Sequence, residues 1–264
     1  MNGDSLQYIA KIDQLPLWGA GFAELWDFSR ANENEEARIE AISTVASICY
    51  GQPPKDAKKL VERLWKEPNG LPSSAFEFIR AGNTPEISES LRNNPWLSPD
   101  GRYAEYRQMP IGVIKRRHKE SIATFRLKVP IFIARQVMRH RSFSFQELSR
   151  RFVDEKRAPL EFWQPNESSG DYYRGVNISI EIYIPAAEIY SWLIKAGARP
   201  EVARAILPQS LYTQFWMMGD VPAWKNYFKL RTDSHAQKEH RQLAEAMLEL
   251  LKKHQPELYE KVKP

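Results

Sequence analysis

At Pro130 the hydrophobic period of this chain switches from two to about 3.6 residues, and no other feature constrains the fold as tightly. Before it, Ile122, Thr124, Arg126 and Lys128 alternate with Ala123, Phe125, Leu127 and Val129, which predicts a strand over 121–129. After it, Ile133, Ala134, Val137 and Met138 make an apolar stripe while Gln136, Arg139 and His140 share another face, which predicts a helix over 131–141. Proline suits the first helical position because the N–H it lacks would have no partner there. Strand and helix together deliver one stretch, residues 139–152. It carries Arg139, His140, Arg141, Glu147, Arg150 and Arg151, interleaved with Phe143, Phe145, Phe152 and three serines.

Charge that dense does not enter a core unpaired. The stretch therefore forms a solvated face, an ion-pair network around Glu147, or an anion site with flat apolar surfaces beside it. The distribution of charge bears on the choice. Between Arg126 and Arg157 there are nine Lys/Arg and three acidic residues, a local +6, which leaves the rest of a chain of net charge +5 at −1. A localised anion site fits this pattern better than diffuse nucleic-acid binding. Arginine forks bind phosphates bidentately, hydroxyls complete the acceptor shell, and aromatic rings suit a nucleobase.

Other elements follow from spacing. Residues 21–27 alternate weakly and predict a strand. Asn34 can cap a helix over 35–50 that Gly51 stops, and a second helix follows over 55–66. Residues 73–79 have strand-like content. Residues 81–119 contain four prolines and are expected to be largely irregular, with one short helix over 86–92. Alternating isoleucines predict a strand over 178–184. Pro185 opens a helix over 186–196, another is expected over 201–207, and 211–217 reads as a strand. From Pro222 to His254 the pattern is helical, with a break near Thr232 and Asp233.

Several chemistries are disfavoured. There is no glycine-rich phosphate loop, so a nucleotide must be held by side chains. His235 and His240 are five residues apart, too far round a helix to pair on a metal, and no metal site is expected. The one cysteine, Cys49, lies in a core-patterned helix without a neighbouring histidine and reads as a small buried hydrophobe. It also rules out an internal disulfide and fits a reducing compartment. No signal-like start and no apolar run of about 18 residues is present, so the expected location is cytoplasmic, with no membrane partner. Arg204, among small and apolar residues, is a site residue or a snorkelling surface arginine; Arg231 either enters a cleft or pairs with Asp233.

Arg139-His140-Arg141, seven residues, then Ser149 resembles the signature of flavin-dependent thymidylate synthases (ThyX). The segments Gly21 to Leu25, Ala46 to Tyr50, Val129 to Gln136, Glu201 to Pro208, Leu211 to Thr213 and Leu230 to Gln237 are similar to family segments in family order. The resemblance implies an α+β fold: a small mixed or antiparallel sheet packed against long helices, in a single domain over 1–264 with an insertion at 81–119. It implies reductive methylation of dUMP to dTMP, with methylenetetrahydrofolate as carbon donor and FAD, reduced by NADPH, as hydride source. A homotetramer with sites shared between subunits is also implied.

Carried over by position, Arg139, His140 and Arg141 would contact FAD, together with Ser74, Glu77, Glu147 and Asn226. Gln136, Arg139, Glu147, Leu148, Ser149, Arg150, Arg151 and Arg204 would contact dUMP, and Arg231 would polarise the uracil as the catalytic group. Pro72 and Phe78 stand where the family usually has histidines, and Asp220 and Pro222 where many members carry flavin-binding asparagine and arginine. Three rivals stay open: a methylase of UMP on the same fold, a non-enzymatic nucleic-acid-binding protein that uses the basic, aromatic stretch, and a degenerate flavoprotein whose altered residues have abolished FAD binding.

Overall fold

The computed structural model describes residues 8–31, 34–65, 75, 78, 122–164 and 179–264. Its centre is an antiparallel sheet in the order β1-β2-β3-β5-β4. The strands are β1 (Ala10–Pro16), β2 (Phe22–Asp27), β3 (Ile122–Pro130), β4 (Ser144–Glu147) and β5 (Tyr212–Asp220). The strand expected over 121–129 is β3, paired with β2 on one side and along its whole length with β5 on the other.

Both faces of the sheet are covered. Ala23 and Leu25 of β2, Ala123, Phe125, Leu127 and Val129 of β3, and Phe215 and Met217 of β5 point into one core. Trp216 and Met218, the alternate residues of β5, belong to a second core on the opposite face. Helices α1 (Glu35–Ser47) and α2 (Ala57–Trp65) cover that second face. Asn34 starts α1 as expected, its side chain accepting from the Ala37 N–H at 2.8 Å, and a short 3-10 turn carries the chain to Tyr50 and Gly51. Gly51 has φ +66°, a conformation that favours a residue without Cβ.

The first core is closed by three helices near the end of the chain: α6 (Val221–Arg231), α7 (Lys238–His254) and α8 (Pro256–Val262). In α7, Leu243, Ala244, Met247, Leu250 and Leu251 repeat at helical spacing and are buried. The expected break in this region falls between α6 and α7, at residues 232–237. Asp220 caps α6, accepting from the Ala223 N–H at 3.1 Å, and Pro222 sits in its first turn. The residues that depart from the family's usual asparagine and arginine thus form an ordinary helix start. Phe78, at one of the family's histidine positions, is buried in the second core.

Glu24 shows how the sheet tolerates a buried charge. Its carboxylate, 2% exposed, takes Arg126 Nε at 2.7 Å and Nη2 at 3.1 Å, and accepts from Trp26 Nε1 at 3.0 Å. Lys11 Nζ of β1 lies 3.6 Å from the same carboxylate, so cations on both neighbouring strands flank Glu24 where it is desolvated.

Several expectations are corrected. The helix after Pro130, α3 (Ile131–Val137), ends four residues early. Residues 138–143 form turns because Phe143 must reach the core between Trp224 and Tyr227, after which the chain pairs as β4. The isoleucine alternation does not make a strand. Residues Ser179–Tyr183 form a π-helical turn that runs into α4 (Ile184–Lys195). Pro185 in the first turn of α4 favours a helix there, and Ile182 and Ile184 stay exposed rather than facing a sheet. The helix expected over 201–207 is one turn, α5 (Pro200–Ala203), followed by a 3-10 turn over Arg204–Ile206. Residues 66–74, 76–77 and 79–121 lie outside the described residues, and so do the insertion at 81–119 and its short helix; of the strand-like run over 73–79 only Ala75 and Phe78 are described, both in 3-10 turns rather than a strand.

Candidate functional site

Helix α3 follows β3 without a loop, and its buried Ile133, Ala134 and Val137 fix which way it faces. Successive helical residues point about 100° apart, so Arg135 and Gln136 are sent to different sides of α3. Arg135 lines a pocket of about 440 Å³ with Glu147, Leu148, Arg150, Arg204 and Thr213. Glu147 lies at the end of β4, where it pairs with Phe215, and the Thr213 hydroxyl donates to its Oε1 at 2.8 Å. Burial pushes the Glu147 carboxyl up, and the Thr213 bond with the nearby Arg135 and Arg204 charges pulls it back. The pocket therefore gathers three guanidinium-bearing side chains and one carboxyl held in place, a constellation suited to an anionic ligand that also carries hydrogen-bond donors.

The arginines differ in freedom. Arg204 is exposed, and its Nε donates to the Glu201 carbonyl at 3.3 Å. Arg150 is buried. Its Nη1 donates to the Ala158 carbonyl at 2.6 Å and its Nη2 to that of Pro159 at 3.0 Å, so it braces the loop 154–159. Arg151 points outward, over the Phe152 ring and 3.6 Å from Glu201. Ser149 Oγ accepts from the Arg151 N–H at 3.4 Å, and the Leu148 N–H donates to the Gln214 carbonyl.

On the Gln136 side of α3 lies a second group. Arg231, at the end of α6, donates through Nε to His140 Nε2 at 2.9 Å. Its Nη atoms have no hydrogen-bond partner among the described residues. Burial and the Arg231 charge hold the His140 imidazole down at about 4, so it is neutral at pH 7. Because its Nε2 accepts, the proton sits on Nδ1. The His140 ring meets Tyr227 edge-on at 4.9 Å. Arg139 and Arg141 flank His140 and are exposed, as is Asn226 on the outer face of α6. Gln136 donates to Gln237 Oε1 at 2.6 Å and receives His240 Nδ1 at its own Oε1 at 3.2 Å. Ser74 and Glu77 lie outside the described residues.

The structure thus brings Glu147, Leu148, Arg150 and Arg204 to one pocket, and Gln136, His140 and Arg231 to the other side of the same helix. Sequence reasoning missed Arg135, Thr213 and His240. Arg135 was visible as a charge beside Gln136 and off the apolar stripe. His240 was considered only as a partner for His235, yet His240 is fully buried while the His235 side chain is 94% exposed.

Cys49 touches this region without joining its chemistry. Its Sγ donates to the Glu147 carbonyl at 3.1 Å and accepts from Gln146 Nε2 at 2.6 Å, and burial pushes the thiol up. It is half-buried rather than fully packed away.

The model of the family described as "Thymidylate synthase complementing protein" (Thy1) matches residues 116–257. The flavin-dependent thymidylate synthase of Pseudothermotoga lettingae is 35% identical over 147 residues, covering 53% of this chain and 65% of its own length. That of Kosmotoga olearia is 33% identical over 215 residues, covering 76% of this chain and 87% of its own. The chain thus spans a little under two thirds of the first relative's length and most of the second's. Among solved structures, a UMP/dUMP methylase from Streptomyces cacaoi with 5-Br dUMP bound is 25% identical, with a TM-score of 0.48 over 68% of this chain and 90% of that one.

Proposed function

Because this chain belongs to the thymidylate synthase complementing protein (Thy1) family, we propose that it is a flavin-dependent thymidylate synthase. It methylates dUMP to dTMP, taking the carbon from methylenetetrahydrofolate and the reducing equivalents from NADPH through FAD. The observation that carries this reading is the pocket in which Arg135, Arg150 and Arg204 surround a Glu147 held by Thr213.

In this reading Arg204 and Arg135 hold the nucleotide phosphate, Arg150 keeps the pocket wall in place, and Leu148 and Ser149 complete the nucleotide contacts. Glu147 accepts from a ring or ribose donor. Arg151 reaches the nucleotide from the rim. Arg231 faces the uracil with the Nη donors that its His140 bond leaves available. Uracil C5 becomes nucleophilic towards the folate methylene when negative charge is drawn onto N3 and the ring oxygens, which makes the ring enolate-like. A fixed guanidinium lowers the cost of that charge, so no enzyme nucleophile is required. The C5 proton leaves, the bond from the transferred carbon to the folate nitrogen breaks with release of tetrahydrofolate, and the exocyclic methylene so formed accepts a hydride, which makes it a methyl group.

The donor set also fits a diphosphate-bearing cofactor: exposed Arg139 and Arg141 flank a neutral His140, with Asn226 on the adjoining helix surface. These residues would hold FAD, with Ser74, Glu77 and Glu147 as further contacts; bound there, reduced FAD supplies the hydride.

A homotetramer with shared sites belongs to the same proposal. Ile182, Ile184, Ile189 and Trp192 (65% exposed) run along α4 and the turn before it, followed by Val202 and Ile206, an apolar row that a second copy would cover. Sharing would bring one protomer's phosphate pocket to another's Arg231. No helix among the described residues is long and apolar enough to cross a membrane, and the reading needs neither membrane nor nucleic acid. A free thiol and NADPH-dependent chemistry suit the cytoplasm. The test is NADPH-dependent conversion of dUMP to dTMP by the purified protein.

A further inference from the structure

Five side chains from α3, α6 and the start of α7 make a continuous hydrogen-bonded chain that the mechanism above does not use. Gln237 Nε2 donates to Glu239 Oε2 at 2.9 Å, and Gln136 Nε2 donates to Gln237 Oε1 at 2.6 Å. His240 Nδ1 meets Gln136 Oε1 at 3.2 Å, and the Tyr227 hydroxyl meets His240 Nε2 at 3.2 Å. His240 and Tyr227 are fully buried.

The direction of the chain is set at its ends. A carboxylate only accepts, so Gln237 must turn its NH2 towards Glu239 and its carbonyl towards Gln136. Gln136 must then turn its NH2 to Gln237 and its carbonyl to His240, which requires the His240 proton on Nδ1. The Nε2 lone pair that remains takes the Tyr227 O–H. The opposite polarity would set the Gln237 carbonyl against the Glu239 carboxylate, acceptor against acceptor. Burial and the neighbouring Arg231 and His140 keep the His240 imidazole unprotonated, its pKa held down at about 3.

We propose that His240 is a positioning residue: held as the Nδ1–H tautomer between Tyr227 and Gln136, it occupies the Gln136 carbonyl, so that Gln136 offers only N–H donors and recognises an acceptor oxygen of the nucleotide. This rests on the reading of Gln136 as a substrate contact. One amide hydrogen of Gln136 is engaged by Gln237, and the second remains for the ligand. A free glutamine turns over to present either end; this one does not.

The test has two arms on the full-length protein. The ¹⁵N spectrum of histidine-labelled protein at neutral pH should show His240, assigned by its loss in His240→Gln, as a neutral ring protonated on Nδ1. In steady-state assays with the flavin-loaded enzyme, His240→Met should raise KM for dUMP about tenfold with kcat within about twofold. His240→Gln restores both a donor and an acceptor at that point and should return KM to within about threefold of wild type. An Nε2–H or doubly protonated ring overturns the inference even in an active enzyme, as does a folded His240→Met variant with unchanged KM. If His240→Met does not fold, the ring spectrum and His240→Gln decide. A wild-type protein that fails to methylate dUMP sinks the proposed function and the substrate half of this inference, while the tautomer remains readable.

Discussion

A cysteine beside the arginine-lined pocket invites a nucleophilic role, and the contacts of Cys49 argue against one. Its thiol donates to a backbone carbonyl and accepts from an amide, and burial, with the nearby Glu147 charge, favours the protonated form. Cys49→Ala should keep kcat within about threefold; a folded variant that makes no dTMP would reinstate covalent catalysis. Arg231 carries the opposite expectation. If its guanidinium stabilises charge that develops only during reaction, Arg231→Ala should lower kcat about 100-fold while the Kd for dUMP moves less than tenfold. Comparable losses in both would make it an anchor. Single residues were the most legible part of this chain, since a dense motif names them directly. Their pairings were not: nothing in the spacing of His140 and Arg231, 91 residues apart, announces the Nε–Nε2 hydrogen bond.

At the scale of elements, the turn after α3 is fixed by one contact between a ring and a glycine. Phe143 packs on Trp224 with centroids 4.5 Å apart and lies over Gly219, where a Cβ would fall 2.4 Å from the ring. Gly219→Ala should destabilise the protein by about 1–3 kcal/mol, because the ring is hemmed in by Trp224 and Tyr227 and has little room to yield. Thermal unfolding measures it, and an unchanged Tm would show that the turn relaxes freely. Elements with long, clean periods were readable: β3, α1 and α7 follow their patterns, and the weak alternation at 21–27 still marked β2. β1 was missed because a register shift between Lys11 and Asp13 interrupts it and its residues face solvent for much of their length, and β4 because it is four residues long and becomes a strand only by pairing with the distant β5. The isoleucine run at 178–184 misled for the converse reason: it has strand propensity but no partner, and the helix that starts beside Pro185 prevails.

Over the whole molecule, a sheet with cores on both faces holds the Arg135–Glu147–Arg204 pocket and the His140–Arg231 pair on two sides of one short helix. That arrangement also buries two neutral histidines, which makes stability depend on pH. The folded-state values, about 4 for His140 and about 3 for His240, lie below the ordinary 6.5. Between pH 6.5 and those values the unfolded chain binds more protons than the folded one. Stability is therefore fully present above pH 6.5 and falls as the pH drops through that window. Tm should decline from pH 6.5 to 5, less steeply in His240→Gln; parallel curves for the two proteins would contradict this. The most direct test of the account is turnover: purified protein, methylenetetrahydrofolate, NADPH and dUMP, with and without added FAD, and UMP as competitor. The account predicts dTMP formation that requires flavin and survives UMP; no dTMP with flavin bound, or dTMP formed equally well by flavin-stripped protein, would contradict it.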